Sequence, residues 1–200
     1  MKRLTTYLNE RLVVNQRFEE KLIVNKNYKG YTPVSFNELR KIIKQRYKEQ
    51  GPGTKQNPID FNDIDVSNID SFCNEKKLGI FEGTEFEYID ISNWNISRVE
   101  NIRAMFWQCT NLKSVGDLSK WDISKVKDMS YMFYECMQLE YVGDLSNWDV
   151  SNVKDMNRMF FRCKNLVSIG DLSKWDVSMI NDVGMFHKSG ITNIPNWYKG

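Results

Sequence analysis

An α/β solenoid of about four to five stacked 27-residue coils, closed at its front by a helical cap, is the fold class the sequence predicts. Three observations predict it. Tryptophans recur at Trp94, Trp121, Trp148 and Trp175, 27 residues apart, and open the related phrases Trp94-Asn95-Ile96-Ser97, Trp121-Asp122-Ile123-Ser124, Trp148-Asp149-Val150-Ser151 and Trp175-Asp176-Val177-Ser178. Cys109, Cys136 and Cys163, then Leu112, Leu139 and Leu166, then Met105-Phe106, Met132-Phe133 and Met159-Phe160 keep the same step. Charge is also divided: residues 1–55 hold 13 Lys and Arg against 5 Asp and Glu, whereas residues 56–200 hold 15 against 21. A fixed period in the twenties marks a solenoid, because one coil cannot bury its own apolar face and stacked coils share a core.

The elements follow in chain order. Residues 1–55 form a basic helical cap, with 1–50 reading as helical. Ser35-Phe36-Asn37-Glu38 has the capping-box spacing, and Phe36, Leu39, Ile42 and Ile43 line one face of the helix it starts. Gly51-Pro52-Gly53 stops that helix. Residues 56–200 form the coils, the first and last atypical as the ends of such arrays are. At the front, Ile64-Asp65-Val66-Ser67-Asn68-Ile69 imitates the tryptophan phrase and leads into an irregular turn from Cys73 to Gly83. Within the internal coils, Leu112-x-x-Val115-Gly116-Asp117-Leu118 and its copies read as short strands. Gly116, Gly143 and Gly170 are inserted there as bulges that need a positive φ. From Ser124 to Cys136, apolar residues at Val126, Met129, Met132, Phe133 and Cys136 fit one face of a short α or 3₁₀ helix. At the back, Met185-Phe186 and Ile191-x-x-Ile194 fall early, and Pro195 and Trp197 close the array.

Composition narrows the function. A 200-residue chain that is 41% hydrophobic and 27% charged folds around a core, and its apolar runs are too short to span a membrane. Met1-Lys2-Arg3-Leu4 is not followed by an apolar signal region, so a cytoplasmic or phage-associated location is expected over a secreted one. One histidine, His187, and no glycine-rich phosphate loop, Cys-x-x-Cys pair or His-x-x-x-His pair leave no nucleophile–base couple to argue from. A non-enzymatic protein with no cofactor and no metal is expected.

The repeated polar residues have structural readings. Cys109, Cys136 and Cys163 should stack about 4.8 Å apart, the spacing of neighbouring strands. A linear ladder cannot gather four zinc ligands around a point, so buried reduced thiols are expected. Asp90, Asp117, Asp144 and Asp171 form one carboxylate ladder; Asp122, Asp149 and Asp176 form another. Both lack the dense Gly-Asp pattern of calcium-binding rolls, and turn capping of backbone amides is the expected role. The tryptophans at the 27-residue step should be core pillars. Trp107, Tyr134 and Phe161 form a further ladder, read as inter-coil packing with a half-exposed sticky stripe as the alternative.

Alternation along the strands turns Tyr88, Asp90, Ser114, Asp117, Tyr141, Asp144, Ser168 and Asp171 outward onto the concave face. That face is acidic and carries two tyrosines, which offer contact area and a hydrogen-bonding tip at modest entropic cost. A protein or peptide partner, possibly basic, is expected there, on a monomeric protein. Two alternatives stand beside this reading. One is a structural or accessory protein of a phage particle or other assembly. The other is nucleic-acid association through Arg40, Lys41, Lys44, Arg46 and Lys48 on the capping helix. Nucleic acid is the less expected partner, because charge runs on helices are usually solvated faces.

The phrases Asp144-Leu145-Ser146-Asn147-Trp148-Asp149-Val150-Ser151-Asn152-Val153-Lys154-Asp155-Met156 and Met132-Phe133-Tyr134-Glu135-Cys136-Met137-Gln138-Leu139 resemble the BspA-like leucine-rich repeat family of bacterial surface proteins, over about residues 60–194. The resemblance implies a curved leucine-rich-repeat solenoid with a parallel sheet on its concave side, and protein or host-surface binding without catalysis. The opening stretches Leu8-Asn9-Glu10-Arg11-Leu12 and Lys21-Leu22-Ile23-Val24-Asn25-Lys26 are similar to the openings of proteins from gut Bacteroidetes and their phages.

Overall fold

The computed structural model describes residues 31–178 and 180–199, so the helical reading of residues 1–30 lies outside the described residues. Helix α1 spans Phe36–Gln50. Its capping box is offset by one residue. The Ser35 hydroxyl accepts from the Glu38 amide at 3.3 Å, while the Glu38 carboxylate accepts from the Val34 amide at 2.8 Å rather than from that of Ser35. The helix ends at Gly51, whose φ of 75° lets its amide return to the Tyr47 carbonyl at 2.8 Å. Leu39 and Ile43 are fully buried in the common core, and Tyr47 packs edge-on against Phe86 at 5.1 Å.

From residue 59 onward the repeats stack in parallel register. Strands β1 (Ile59–Asp60) and β2 (Ile89–Asp90) pair directly. Beyond them the ladder continues as single bridges, Tyr88 to Ser114 to Tyr141, and a second ladder runs Ser71, Asn101, Asp128, Asp155, Asn181. The expected strands over 112–118 and its copies, and the continuous sheet they would build, are therefore not formed among the described residues. Gly116, Gly143 and Gly170, at φ 85°, 92° and 91°, break the extended run as expected of bulges. The aspartate after each caps a tight turn instead of continuing a strand. After Asp117 and Asp171 that turn closes as 3₁₀ helix, Leu118–Lys120 and Leu172–Lys174. No helix among the described residues is long and apolar enough to cross a membrane.

The helix expected over 124–136 is also absent; a ribbon of successive turns takes its place. Amides of Met105, Trp107 and Cys109 donate three residues back within their own coil. Those of Ala104, Phe106 and Gln108 donate to Ser130, Met132 and Tyr134 of the next coil. Alternation of this kind places Ala104, Gln108, Tyr131, Glu135, Arg158 and Arg162 at φ between 53° and 60°. A left-handed L-residue costs about 1–2 kcal/mol, so the inter-coil hydrogen bonds are what hold these positions.

Three side-chain ladders lock the stack. Indole Nε1 atoms of Trp94, Trp121, Trp148 and Trp175 donate to the carbonyls of Phe61, Ile91, Leu118 and Leu145, each in the preceding coil, at 2.8–3.2 Å. Trp197 repeats the contact on Leu172 at 2.8 Å and closes the back. Thiols of Cys109, Cys136 and Cys163 donate to the Phe81, Phe106 and Phe133 carbonyls at 3.1, 3.0 and 3.0 Å. Phe81, Phe106, Phe133 and Phe160 stack face to face at 5.1–5.6 Å through the centre.

At the front, the first coil leaves the carbonyls of Ile80 and Glu82 without a preceding coil to bond. They correspond to Met105 and Trp107, which accept from Phe81 and Gly83. Arg40 of α1 supplies the missing donors: its guanidinium bonds the Gly79, Ile80 and Glu82 carbonyls. Arg46, only 8% exposed, bonds the Asp60 carbonyl and pairs in a fork with Asp63 at 2.5 and 2.9 Å. The basic helix thus docks on its own acidic body.

Candidate binding face

The tight turns at the ladder face are built by Asx capping. Oδ1 of Asp60, Asp90, Asp117, Asp144 and Asp171 accepts the amide two residues on, at 2.8–2.9 Å. Asp122, Asp149 and Asp176 do the same for Ser124, Ser151 and Ser178. A third such column, Asn101, Asp128 and Asp155, went unread in the sequence. Turn capping is thus what these carboxylates do, and no group of His, Cys, Asp and Glu among the described residues is arranged to hold a metal ion. The hydroxyl and amide of Ser146 hold the Asp144 carboxyl below its usual range, and the amide and hydroxyl of Ser173 do so for Asp171. At Asp90 partial burial pushes upward, but the Ser92 and Asn62 hydrogen bonds outweigh it and the carboxyl stays low.

Four of the eight predicted face residues come together. Tyr88, Asp90, Ser114 and Tyr141 line one groove of about 450 Å³, together with Lys55, Pro58, Ile89, Lys113, Gly116 and Glu140. Asp117, Asp144, Ser168 and Asp171 are exposed but lie outside it. Asp117 remains close enough to raise the Tyr141 hydroxyl, after burial as the larger cause. Tyr88, Asp90 and Ser114 are only partly exposed, whereas Tyr141 is 50% exposed.

The face is not the uniformly acidic one expected. Lys113 sits in it, paired to Glu87 at 2.7 Å and over the Tyr88 ring at 5.5 Å. Alternation alone sent Lys113 and Glu140 inward. The glycine insertion two or three residues later leaves both Lys113 and Ser114, and both Glu140 and Tyr141, on the outside. A signal existed: Glu87, Lys113, Glu140 and Val167 share one register position yet change in charge, which core positions do not. Val167, 59% exposed, ends this column with an apolar side chain.

The basic helix offers less to nucleic acid than its composition suggests. Of Arg40, Lys41, Lys44, Arg46 and Lys48, the two arginines are turned onto the protein. The cysteines are free and buried. Burial pushes the Cys109 thiol up to about 11 and raises those of Cys136 and Cys163 well above their ordinary value. In the unfolded chain these thiols ionise near their ordinary value, so between about pH 9 and 11 the unfolded state holds fewer protons and stability falls as pH rises. Urea midpoints are expected to drop progressively above pH 9. A Cys109→Ala, Cys136→Ala, Cys163→Ala variant is expected to lose most of that dependence, and an unchanged slope would refute the assignment.

Comparison with known proteins places the repeat region. The model of a family described as a Mycoplasma protein of unknown function, DUF285, matches residues 56–197. Among solved structures, a leucine-rich repeat protein from Eubacterium ventriosum is similar at 18% identity with a TM-score of 0.42, over 68% of this chain. The chain spans 39% of that protein's length. No curated protein matches the chain.

Proposed function

The chain belongs to the family described as Mycoplasma protein of unknown function, DUF285, and we propose that it is a non-enzymatic protein-binding module. In this reading the stacked coils are a BspA-like leucine-rich-repeat solenoid, and the ladder face grips a protein or peptide segment that carries basic side chains. The groove between Tyr88 and Tyr141 is the observation that supports it. It joins a tyrosine 50% exposed to carboxylates at Glu140 and Asp90. Tyrosine is among the residues that dominate binding energy when desolvated. A basic segment would place its cations against Glu140 and Asp117 while its apolar residues cover Tyr141 and Val167. Loss of Tyr141 by substitution with alanine is expected to weaken a partner isolated on the intact chain by about 10–30-fold, corresponding to about 1.4–2 kcal/mol. Asp117→Lys with Asp144→Lys is expected to weaken it further and to flatten the salt dependence of association. Retained affinity in both variants, measured by calorimetry on correctly folded protein, would discard the face.

A further inference from the structure

The turn ribbon carries a surface that the ladder face does not use. Trp107 stacks on Tyr131 at 5.5 Å, Tyr134 on Phe161 at 4.9 Å, and Phe161 on His187 at 5.3 Å. The Trp, Tyr and Phe rings in this row are half-buried and His187 is exposed, so the ladder read as inter-coil packing also reaches the surface. Guanidinium groups lie over the rings. Arg103 is 4.7 Å from the Tyr131 centroid, Arg158 is 6.0 Å from Tyr131 and 5.9 Å from Phe161, and Arg162 is 5.3 Å from Phe161. Trp, Tyr and Arg are the residue types that carry most of the energy of protein interfaces. Here each ring or cation is already held by a neighbour, which lowers the ordering cost of binding.

Charge decides what fits. Arg103 reaches Asp128 through the Ser130 hydroxyl, and Arg162 pairs with Glu135 at 2.6 Å. Arg158 is exposed, and its guanidinium makes no hydrogen bond among the described residues. Lys188, which follows Arg162 in register one coil on, is exposed as well. The ribbon therefore presents cations on a body that is otherwise acidic. Tyr131, Tyr134 and Phe161 each meet another ring or a guanidinium over a face, which leaves nucleic-acid bases little stacking platform there. Carboxylates, in contrast, can approach the edges of the guanidiniums, and such charge-assisted hydrogen bonds are the strong ones. We propose that the ribbon is a second docking surface, for an acidic segment of a partner protein, with Arg158 as its principal anchor beside the Tyr131 and Phe161 rings.

A fluorescein-labelled hexaglutamate peptide tests this by anisotropy titration of the full chain. Saturable binding is expected, weakening steeply with salt. Arg158→Glu is expected to reduce affinity at least about fivefold, and Arg158→Gln to reduce it less. Neither removes a side-chain hydrogen bond among the described residues, and circular dichroism checks that both stay folded. Tyr141→Ala, and Lys44→Glu with Lys48→Glu, are expected to leave the titration unchanged, which separates this surface from the ladder face and from α1. Absence of saturable binding, equal binding by Arg158→Glu, or a fluorescein-labelled oligothymidylate that binds as tightly and depends on Arg158 would each overturn the proposal.

Discussion

Gly143→Ala is expected to destabilise the protein by about 2–5 kcal/mol, read as a lowered urea midpoint. Two costs combine. A methyl group at φ 92° is in a region L-residues avoid. The added Cβ would also run into the Asp117 carboxylate of the preceding coil and meet the Leu118 amide nitrogen at 3.0 Å. Gly116 and Gly170 stand in the same relation to Asp90 and Asp144, so glycine and carboxylate interlock from coil to coil. Gly51 separates the two costs, because its φ is 75° but nothing lies within 4 Å of a Cβ built there. Gly51→Ala should therefore cost only the backbone share, about 1–3 kcal/mol for an L-residue at φ 75° and ψ −155°. Combining Gly143→Ala with Asp117→Ala relieves the collision, and the double variant should cost at least about 0.5–1 kcal/mol less than the two single changes added together. Strict additivity would show that the carboxylate is not what excludes the methyl group.

Trp148→Ala is expected to cost about 3–5 kcal/mol, the range for removing a large core aromatic. Trp148 is 4% exposed, lies 6.5 Å from Trp175 with the rings 3° from parallel, and donates to the Leu118 carbonyl at 3.0 Å. Trp148→Phe keeps much of the apolar area and removes only the indole bond, because the Leu118 carbonyl still accepts the Trp121 amide at 3.1 Å, a loss of about 0.5–1.5 kcal/mol. Trp197 makes the equivalent bond at the back of the array from a half-buried position, and Trp197→Phe should cost less. Denaturant titrations that rank Trp148→Phe as mild as Trp197→Phe would show that the internal indole bond contributes little.

What the sequence disclosed depended on where the determining interaction lay. Trp94, Trp121, Trp148 and Trp175, the three cysteines and the three bulge glycines were legible because identical side chains meet identical surroundings in every coil. Ser35 and Glu38 were legible because a helix cap is local. The turn ribbon was not. Met129, Met132, Phe133 and Cys136 bury the same residues a helix would bury. Tyr131 and Glu135 have no intrinsic preference for a left-handed backbone and adopt it because amides of adjacent coils bond there. Arg40 was counted as a surface cation for the same reason. Its acceptors lie some forty residues away in sequence, at the end of the stack. On the ladder face, the alternation rule turned Tyr88, Asp90, Ser114 and Tyr141 outward, and these four line one groove. The rule lost Lys113 and Glu140 at the bulges, where alternation itself fails.

The serial hydrogen bonding of coil to coil has a mechanical corollary. Among the described residues the inter-coil backbone bonds join neighbouring coils, so under tension from the two ends the load falls on one inter-coil seam at a time. Each seam that parts frees a 27-residue loop, or about 90 Å of slack, in exchange for one rung of about 4.8 Å. Force–extension traces should accordingly show evenly spaced, low peaks, and the molecule would yield as a shock absorber that pays out length stepwise while its remaining coils stay intact.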